Sequence, residues 1–338
     1  MSGAVELPSP EAPGPEEEAA RWRVRSRAGA VRERLRGNYQ LFAGVGILLG
    51  FFVIADVAVV EFGSSLQSLP INLALAQSLD PAGPSWQHPF GTMRGIGIEI
   101  LPALVQATPI DLLLLGGTIL LALTIGLFAG AYAGLSAGPV DAVITAISDL
   151  LVGVPSFFLV MVVFLGVQPF IRPNDFLPVF VVAFAAILWP FYARPVRARA
   201  QQVAGEPYVE AARAAGGGRI RILWRHVLPN SFSTVLAQIP IDLYSLFFVL
   251  TTFPFLGCFS SSTGQGFFLD LTPLPAFPYP EWGFLLGEGV CYGWSPLASL
   301  DHWWMYTFPA LVVIVFGIGV TLACDGVARY LSGARTSV

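Results

Sequence analysis

The chain has 338 residues, of which 55% are hydrophobic and only 12% charged, with a formal net charge of −4. Soluble globular chains carry about a quarter charged residues, so this composition excludes an ordinary water-soluble domain. All 18 basic residues are arginine. Without lysine there is no G-x-x-x-x-G-K-[ST] phosphate loop, and any ATP that drives the protein is bound by another subunit.

Residues 1–38 form an expected cytoplasmic tail. Its first 20 residues, rich in Pro, Glu, Ala and Gly, have the composition of a disordered segment. Arg21–Arg36 reads equally as a basic amphipathic helix on the membrane surface or as a solvated topogenic cluster. Residues 39–60 are the first transmembrane helix, with Leu41–Val60 interrupted only by Asp56. This run starts too far along the chain for a cleaved secretory signal and is read as retained. Residues 61–109 are an extracytoplasmic segment, too polar to span, with Ile71–Leu79 as a candidate surface helix.

Residues 110–330 are the core, with five more apolar runs. These are Leu112–Leu135, Leu150–Ile171, Phe176–Ala193, Phe232–Phe259 (broken only by Asp242) and Trp303–Cys324. A helix needs roughly 20 apolar residues to cross the ~30 Å hydrocarbon layer. Lipid offers the backbone no other hydrogen-bond partner, and the ~10-residue alternating strands of a membrane barrel are absent from the pattern. The expected fold is therefore an all-α polytopic membrane protein with six transmembrane helices. Gly138-Pro139 makes a tight turn between the second and third, and Pro155 lies inside the third. Residues 194–230 are a long loop on one side, 258–302 a long loop on the other, and 331–338 a short tail.

Arginine sets the orientation. Seven lie in Arg21–Arg36, seven in Arg194–Arg225, and Arg329 and Arg335 follow the last run. All of these fall on one side of a six-span chain, the cytoplasmic side by the positive-inside rule. Only Arg94 and Arg172 fall in opposite loops. The expectation is a multi-pass protein of the cell membrane with both termini cytoplasmic.

The 194–230 loop is the most informative stretch. Pro207 suits the first turn of a helix, and Glu206 and Glu210 favour its positive end. Tyr208–Ala215 is rich in strong helix formers, and Gly216, Gly217 and Gly218 stop it, glycine readily supplying a left-handed cap. A second amphipathic helix is expected over Arg219–Val227, with Ile220, Leu223, Trp224 and Val227 on one face and Pro229 closing it. The pattern Glu210-Ala211-Ala212, Gly216, Leu228-Pro229, at its full spacing E-A-A-x(3)-G-x(9)-x-x-L-P, resembles the cytoplasmic motif of binding-protein-dependent ABC importer permeases. Further stretches are similar to the dipeptide/oligopeptide/nickel branch. They are Trp189 to Arg194, Arg225 to Asn230, His88-Pro89-Phe90-Gly91-Thr92, and Trp282-Gly283 with Glu288-Gly289.

The resemblance implies a type I ABC importer permease architecture and a non-catalytic subunit. Its expected partners are a second homologous permease, two cytosolic ABC ATPases that carry the ATP and magnesium, and an extracytoplasmic substrate-binding protein, with no nucleic acid. It implies that the 194–230 loop is a coupling helix docking into a cleft on an ATPase. Ala211 and Ala212 would then permit close approach, Glu210 and Arg213 would offer polar contacts, and Gly216, Leu228 and Pro229 would return the chain to the membrane. The implied cargo is dipeptides or oligopeptides, with oligosaccharides or nickel as the alternative for the same machinery. The sequence departs from the branch at Met93-Arg94-Gly95-Ile96-Gly97-Ile98-Glu99, where relatives usually carry an acidic residue and Gly-Arg-Asp. The loop before Trp282 also looks longer than usual.

Charges within spans default to functional candidates. Asp149, read as early in the third span, is expected to make a packing or gating hydrogen bond. Asp149, Pro155 and Asp242 are the candidates for lining or gating a path. Cys258 and Cys291 share the outer loop, where a disulfide and two free thiols remain open alternatives. His88, His226 and His302 share no ligand spacing, so no metal site is expected. The competing class is a secondary transporter or channel using Asp149 and Asp242 as relay groups; it would need no coupling loop. No nucleophile–base or metal constellation suggests an enzyme.

Overall fold

A computed structural model describes residues 37–63, 81–93, 98–136, 138–167, 176–262, 281–292 and 301–333. Among these, α1 is Tyr39–Phe62, and a two-residue hairpin pairs β1 (Thr92–Met93) with β2 (Ile98–Glu99) antiparallel. Helices α2 (Ile100–Leu135), α3 (Pro139–Gly153), α4 (Ser156–Val167) and α5 (Phe176–Ala204) follow. The Arg-rich loop folds as α6 (Pro207–Ala214), α7 (Arg219–Ile222), a π-helical turn (Leu223–Val227) and α8 (Leu228–Val235). The chain then makes α9 (Gln238–Ser262), α10 (Trp282–Tyr292) and α11 (Trp304–Gly333). Four helices are long and apolar enough to cross a membrane, Tyr39–Phe62, Ile100–Leu135, Leu177–Ala204 and Trp304–Leu331, and Gln238–Thr252 is a shorter apolar helix.

Three features depart from the sequence expectation. Helix α2 starts at Ile100, inside the stretch expected to be an outer loop. Ala103, Leu104 and Ala107 are buried there, so this extra length packs against protein rather than lying in water. The third apolar run is not one helix: the chain turns extended at Val154 (ψ 133°) and restarts at Ser156, because the residue before a proline is driven out of the helical region. Asp149 therefore lies near the end of α3, not near the start of a span. Finally, Pro229 does not end the helix before the fifth run. It sits in the first turn of α8, where its missing N–H costs nothing, and the π-turn just before it lets the Leu228 N–H reach back to the Leu223 carbonyl.

Lipid supplies no hydrophobic drive between helices, so close backbone approach has to do that work. Helix α2 presents Gly126, Gly130 and Gly134 at four-residue intervals to α5. A Cβ at Gly126 would lie 2.4 Å from Tyr192 Cβ, one at Gly130 2.3 Å from the Ala193 carbonyl oxygen, and one at Gly134 2.5 Å from Ala200 Cβ. Helices α1 and α11 approach as closely at Gly44, whose missing Cβ would meet the Ala323 backbone nitrogen at 2.3 Å. Asn38 ties this second pair: its Oδ1 accepts from the Leu41 N–H at 3.3 Å, and its Nδ2 donates to the Gly326 carbonyl at 2.7 Å.

At the end of the molecule away from the Arg-rich loop, α10 is packed among α2, α9 and α11 by Trp282, which is fully buried. Its ring meets Phe51, Phe316 and Phe247 at centroid distances of 5.4, 5.4 and 6.0 Å, and its Nε1 donates to the Leu104 carbonyl at 3.2 Å. The His88 to Thr92 stretch packs on the start of α11. There Phe90 stacks on Phe308 at 4.2 Å, and Trp304 Nε1 donates to the Thr92 carbonyl at 3.3 Å. Where the sequence departs from the resembled branch, Met93 and Ile98 face each other across the hairpin, both buried.

Candidate coupling site

The chain leaves α5 at Ala204 and enters α6 at Pro207, so the two helices are joined by a two-residue corner. The corner is closed by Glu206 N–H donating to the Val203 carbonyl at 3.1 Å. One side chain of α6, Val209, is fully buried and holds it to the helical body. Tyr208, Glu210, Ala211, Ala214 and Ala215 are exposed, and Ala212 is half-buried. The exit has the geometry of a left-handed helix cap. Gly216 has φ +82°, and the Gly217 N–H donates back to the Ala212 carbonyl at 2.8 Å. Small residues and one carboxylate thus stand outward on a short helix with a fixed base. Among the described residues, Glu210 has no ion-pair partner. The Arg213 side chain lies outside the described residues.

The second half of the loop is turned differently from its sequence pattern. Leu223 and Val227 are buried as expected, and Leu228 packs against the core, but Trp224 is 60% exposed. A helical wheel assumes a constant turn per residue, and the wider π-turn moves Trp224 off the buried face. Its ring meets Phe128 of α2 edge-on at 5.4 Å. Pro229 is exposed.

Two ion pairs join α3 to α5, the helix that feeds α6. Arg194 Nη2 donates to Asp149 Oδ1 at 2.6 Å and reaches the Ser148 carbonyl at 3.4 Å. Arg197 grips Asp141 with both ends of its fork, Nε to Oδ1 at 2.6 Å and Nη2 to Oδ2 at 2.7 Å. Those hydrogen bonds from Arg197 hold the Asp141 carboxyl below its ordinary range. A cavity of about 290 Å³ opens beside the pairs, with Thr145, Ser148, Asp149, Arg194 and Arg197 on its walls and Gly130 of α2 among its lining. Asp149 is thus brought to an inter-helix contact at this cavity. Pro155 stands at the α3–α4 break, exposed. Asp242 is brought elsewhere: it is buried in α9, with Gln238 Nε2 donating to its Oδ1 at 2.8 Å. The backbones of Cys258 and Cys291 lie in α9 and α10, but their side chains fall outside the described residues.

Sequence reasoning passed over Asp141 and Arg197, and the glycine stripe that brings α2 against α5. The stripe had a signal, three glycines spaced by four. The Asp141–Arg197 pair had none, since 56 residues separate its members.

The family model for the binding-protein-dependent transport system inner membrane component matches residues 122–333, more than half of the chain. The chain belongs to this family. It is a multi-pass membrane permease, and the matched region runs from within α2 to the end of α11, taking in α6 and both ion pairs. Among similar proteins, the probable D,D-dipeptide transport system permease protein DdpC of Escherichia coli (strain K12) is 27% identical over 250 residues, 73% of this chain and 74% of the relative. The dipeptide transport system permease protein DppC of Bacillus subtilis (strain 168) is 25% identical over 293 residues, 87% of this chain and 81% of the relative. Its namesake in Alkalihalophilus pseudofirmus is 24% identical over 327 residues, 94% of this chain and 93% of the relative. The family resemblance drawn from the Glu-Ala-Ala loop is borne out, and so is the all-α polytopic fold.

Proposed function

We propose that this permease forms half of the path of an ATP-driven importer for dipeptides or oligopeptides. A second homologous permease completes the path, an extracytoplasmic binding protein delivers the cargo, and two cytosolic ATPases bind ATP and magnesium. The Arg-rich side faces the cytoplasm, with both termini there, as the positive-inside rule requires. The peptide cargo is supported by the names of the relatives above.

The observation that carries the coupling role is α6. It is a short helix pinned by one buried valine, displays Glu210 and Ala211 outward, and is joined to α5 by two residues. A push on α6 moves the end of α5, and the Asp141–Arg197 and Asp149–Arg194 pairs pass that motion to α3. The test is peptide uptake into vesicles carrying the complete reconstituted complex. Uptake requires the ATPases and ATP. Glu210→Arg and Gly216→Arg leave the complex assembled but separate ATP hydrolysis from uptake. Uptake that persists without the ATPases, or normal coupling in both variants, contradicts the proposal.

A further inference from the structure

Asp111 of α2 and Glu281, the residue just before α10, are both fully buried. They meet at the first turn of α10. The Trp282 N–H donates to Asp111 Oδ2 at 2.8 Å, and the Gly283 N–H donates to Glu281 Oε2 at 2.8 Å. Two of the N–H groups that every helix leaves unpaired at its start are thereby satisfied by two different carboxyl groups. The other two oxygens, Asp111 Oδ1 and Glu281 Oε1, are buried with no hydrogen-bond partner. Among the described residues the ionisable group acting on Asp111 is Glu281, and no arginine or histidine pairs with either. The neighbouring Trp282 ring is enclosed by Phe51 of α1, Phe247 of α9 and Phe316 of α11, which bring no charge.

Two buried carboxylates that meet at one helix turn with no cation do not both stay charged in a dry pocket. One proton resolves every unmet group: it turns one orphan oxygen into a donor and leaves the other as its acceptor. One negative charge then remains, at the positive end of α10. Burial drives the Glu281 carboxyl upward, in the direction this sharing requires.

We infer that Asp111 and Glu281 bind a single proton between them, forming a carboxyl–carboxylate clasp that fastens α10 to α2. The docked arrangement holds one proton more than the undocked one. Its stability is therefore full below the ordinary carboxylate value of about 4, falls steadily as the pH rises above it, and levels off once the shared proton has left. Helix α10 lies at the end opposite the coupling site, so the clasp makes the packing of that end responsive to the proton concentration outside.

The test uses the full chain in lipid nanodiscs. Infrared spectroscopy at neutral pH should show a protonated-carboxyl C=O band that shifts in heavy water and is lost in both Asp111→Asn and Glu281→Gln. In each variant the amide supplies the hydrogen permanently. The melting temperature of the wild-type chain should fall from mildly acidic to alkaline pH, and that fall should be absent in both variants. Asp111→Ala, which leaves the Trp282 N–H unpaired, should be destabilised at every pH. Absence of the band from the wild-type chain, or an unchanged pH dependence in the two amide variants, overturns the clasp. So does a wild-type stability that follows added sodium or potassium instead of pH, which would mean that a metal cation fills the gap. None of these outcomes bears on the import function.

Discussion

A single methyl group placed on the glycine stripe should separate α2 from α5. At Gly130 the added Cβ of Gly130→Ala would stand 2.3 Å from the Ala193 carbonyl oxygen and 2.9 Å from its carbonyl carbon. Ordinary contact begins near 3.4 Å, so the helices must move apart by about 1 Å or bend locally. Neither partner atom is on a flexible side chain, so nothing can simply rotate away. Overpacking of this kind costs about 1–3 kcal/mol. Against that stands the gain of about 1 kcal/mol that alanine brings over glycine in a helix interior. Gly116 of the same helix isolates the second effect, because a Cβ there meets nothing within 4 Å. Unfolding of the purified chain in detergent, followed by tryptophan fluorescence, should rank Gly116→Ala as the most stable, wild type next and Gly130→Ala last. The wild-type to Gly130→Ala difference should be up to about 2 kcal/mol. The packing argument fails if Gly130→Ala is as stable as Gly116→Ala.

Other outcomes follow from the same contacts. Asp141→Asn should remove the grip of Arg197 on α3. The pair is partly exposed, so the loss should be no more than about 1 kcal/mol. The Asp141 carboxyl is depressed in the fold, so its contribution is present above the unfolded carboxylate pKa of about 4 and is lost as the pH falls through its lower folded value. An acid-unfolding titration of wild type against Asp141→Asn should therefore converge at low pH and differ at neutral pH. Trp282→Ala should cost about 3–5 kcal/mol, since it empties the centre of a four-ring cluster and takes one of two side-chain donors from the Leu104 carbonyl, which keeps Thr108 Oγ1. Thermal unfolding of the two chains reads this directly, and a loss under about 1 kcal/mol would contradict the cluster's role.

The long helices were legible because crossing lipid imposes a length and a composition on consecutive residues. The Arg-rich loop was legible because its constraints are local: proline at the first turn, small residues on the outward face, and glycine where φ turns positive at Gly216. What escaped depends on contacts distant in sequence or on departures from a regular helix. The break at Val154–Pro155 looked like a proline inside a span, because apolar residues continue on both sides. The start of α2 was hidden because Asp111, buried in the fold, interrupts the uncharged run and Pro109 lies inside the helix. Trp224 was placed on the wrong face because the π-turn alters the phase that a helical wheel assumes. Asp111 and Glu281 are 170 positions apart, and only the folded chain shows that both cap the first turn of α10.

Cross-linking from the outward face of α6 tests the central claim most directly. A cysteine introduced by Ala211→Cys, in a chain whose Cys258, Cys291 and Cys324 are replaced by serine, should be reached by a membrane-impermeant thiol reagent only from the cytosolic side. In the assembled complex it should cross-link to an ATPase subunit, with a yield that changes when ATP binds. Labelling from the outer side, or an assembled complex in which Ala211→Cys touches no ATPase in any nucleotide state, would contradict the account.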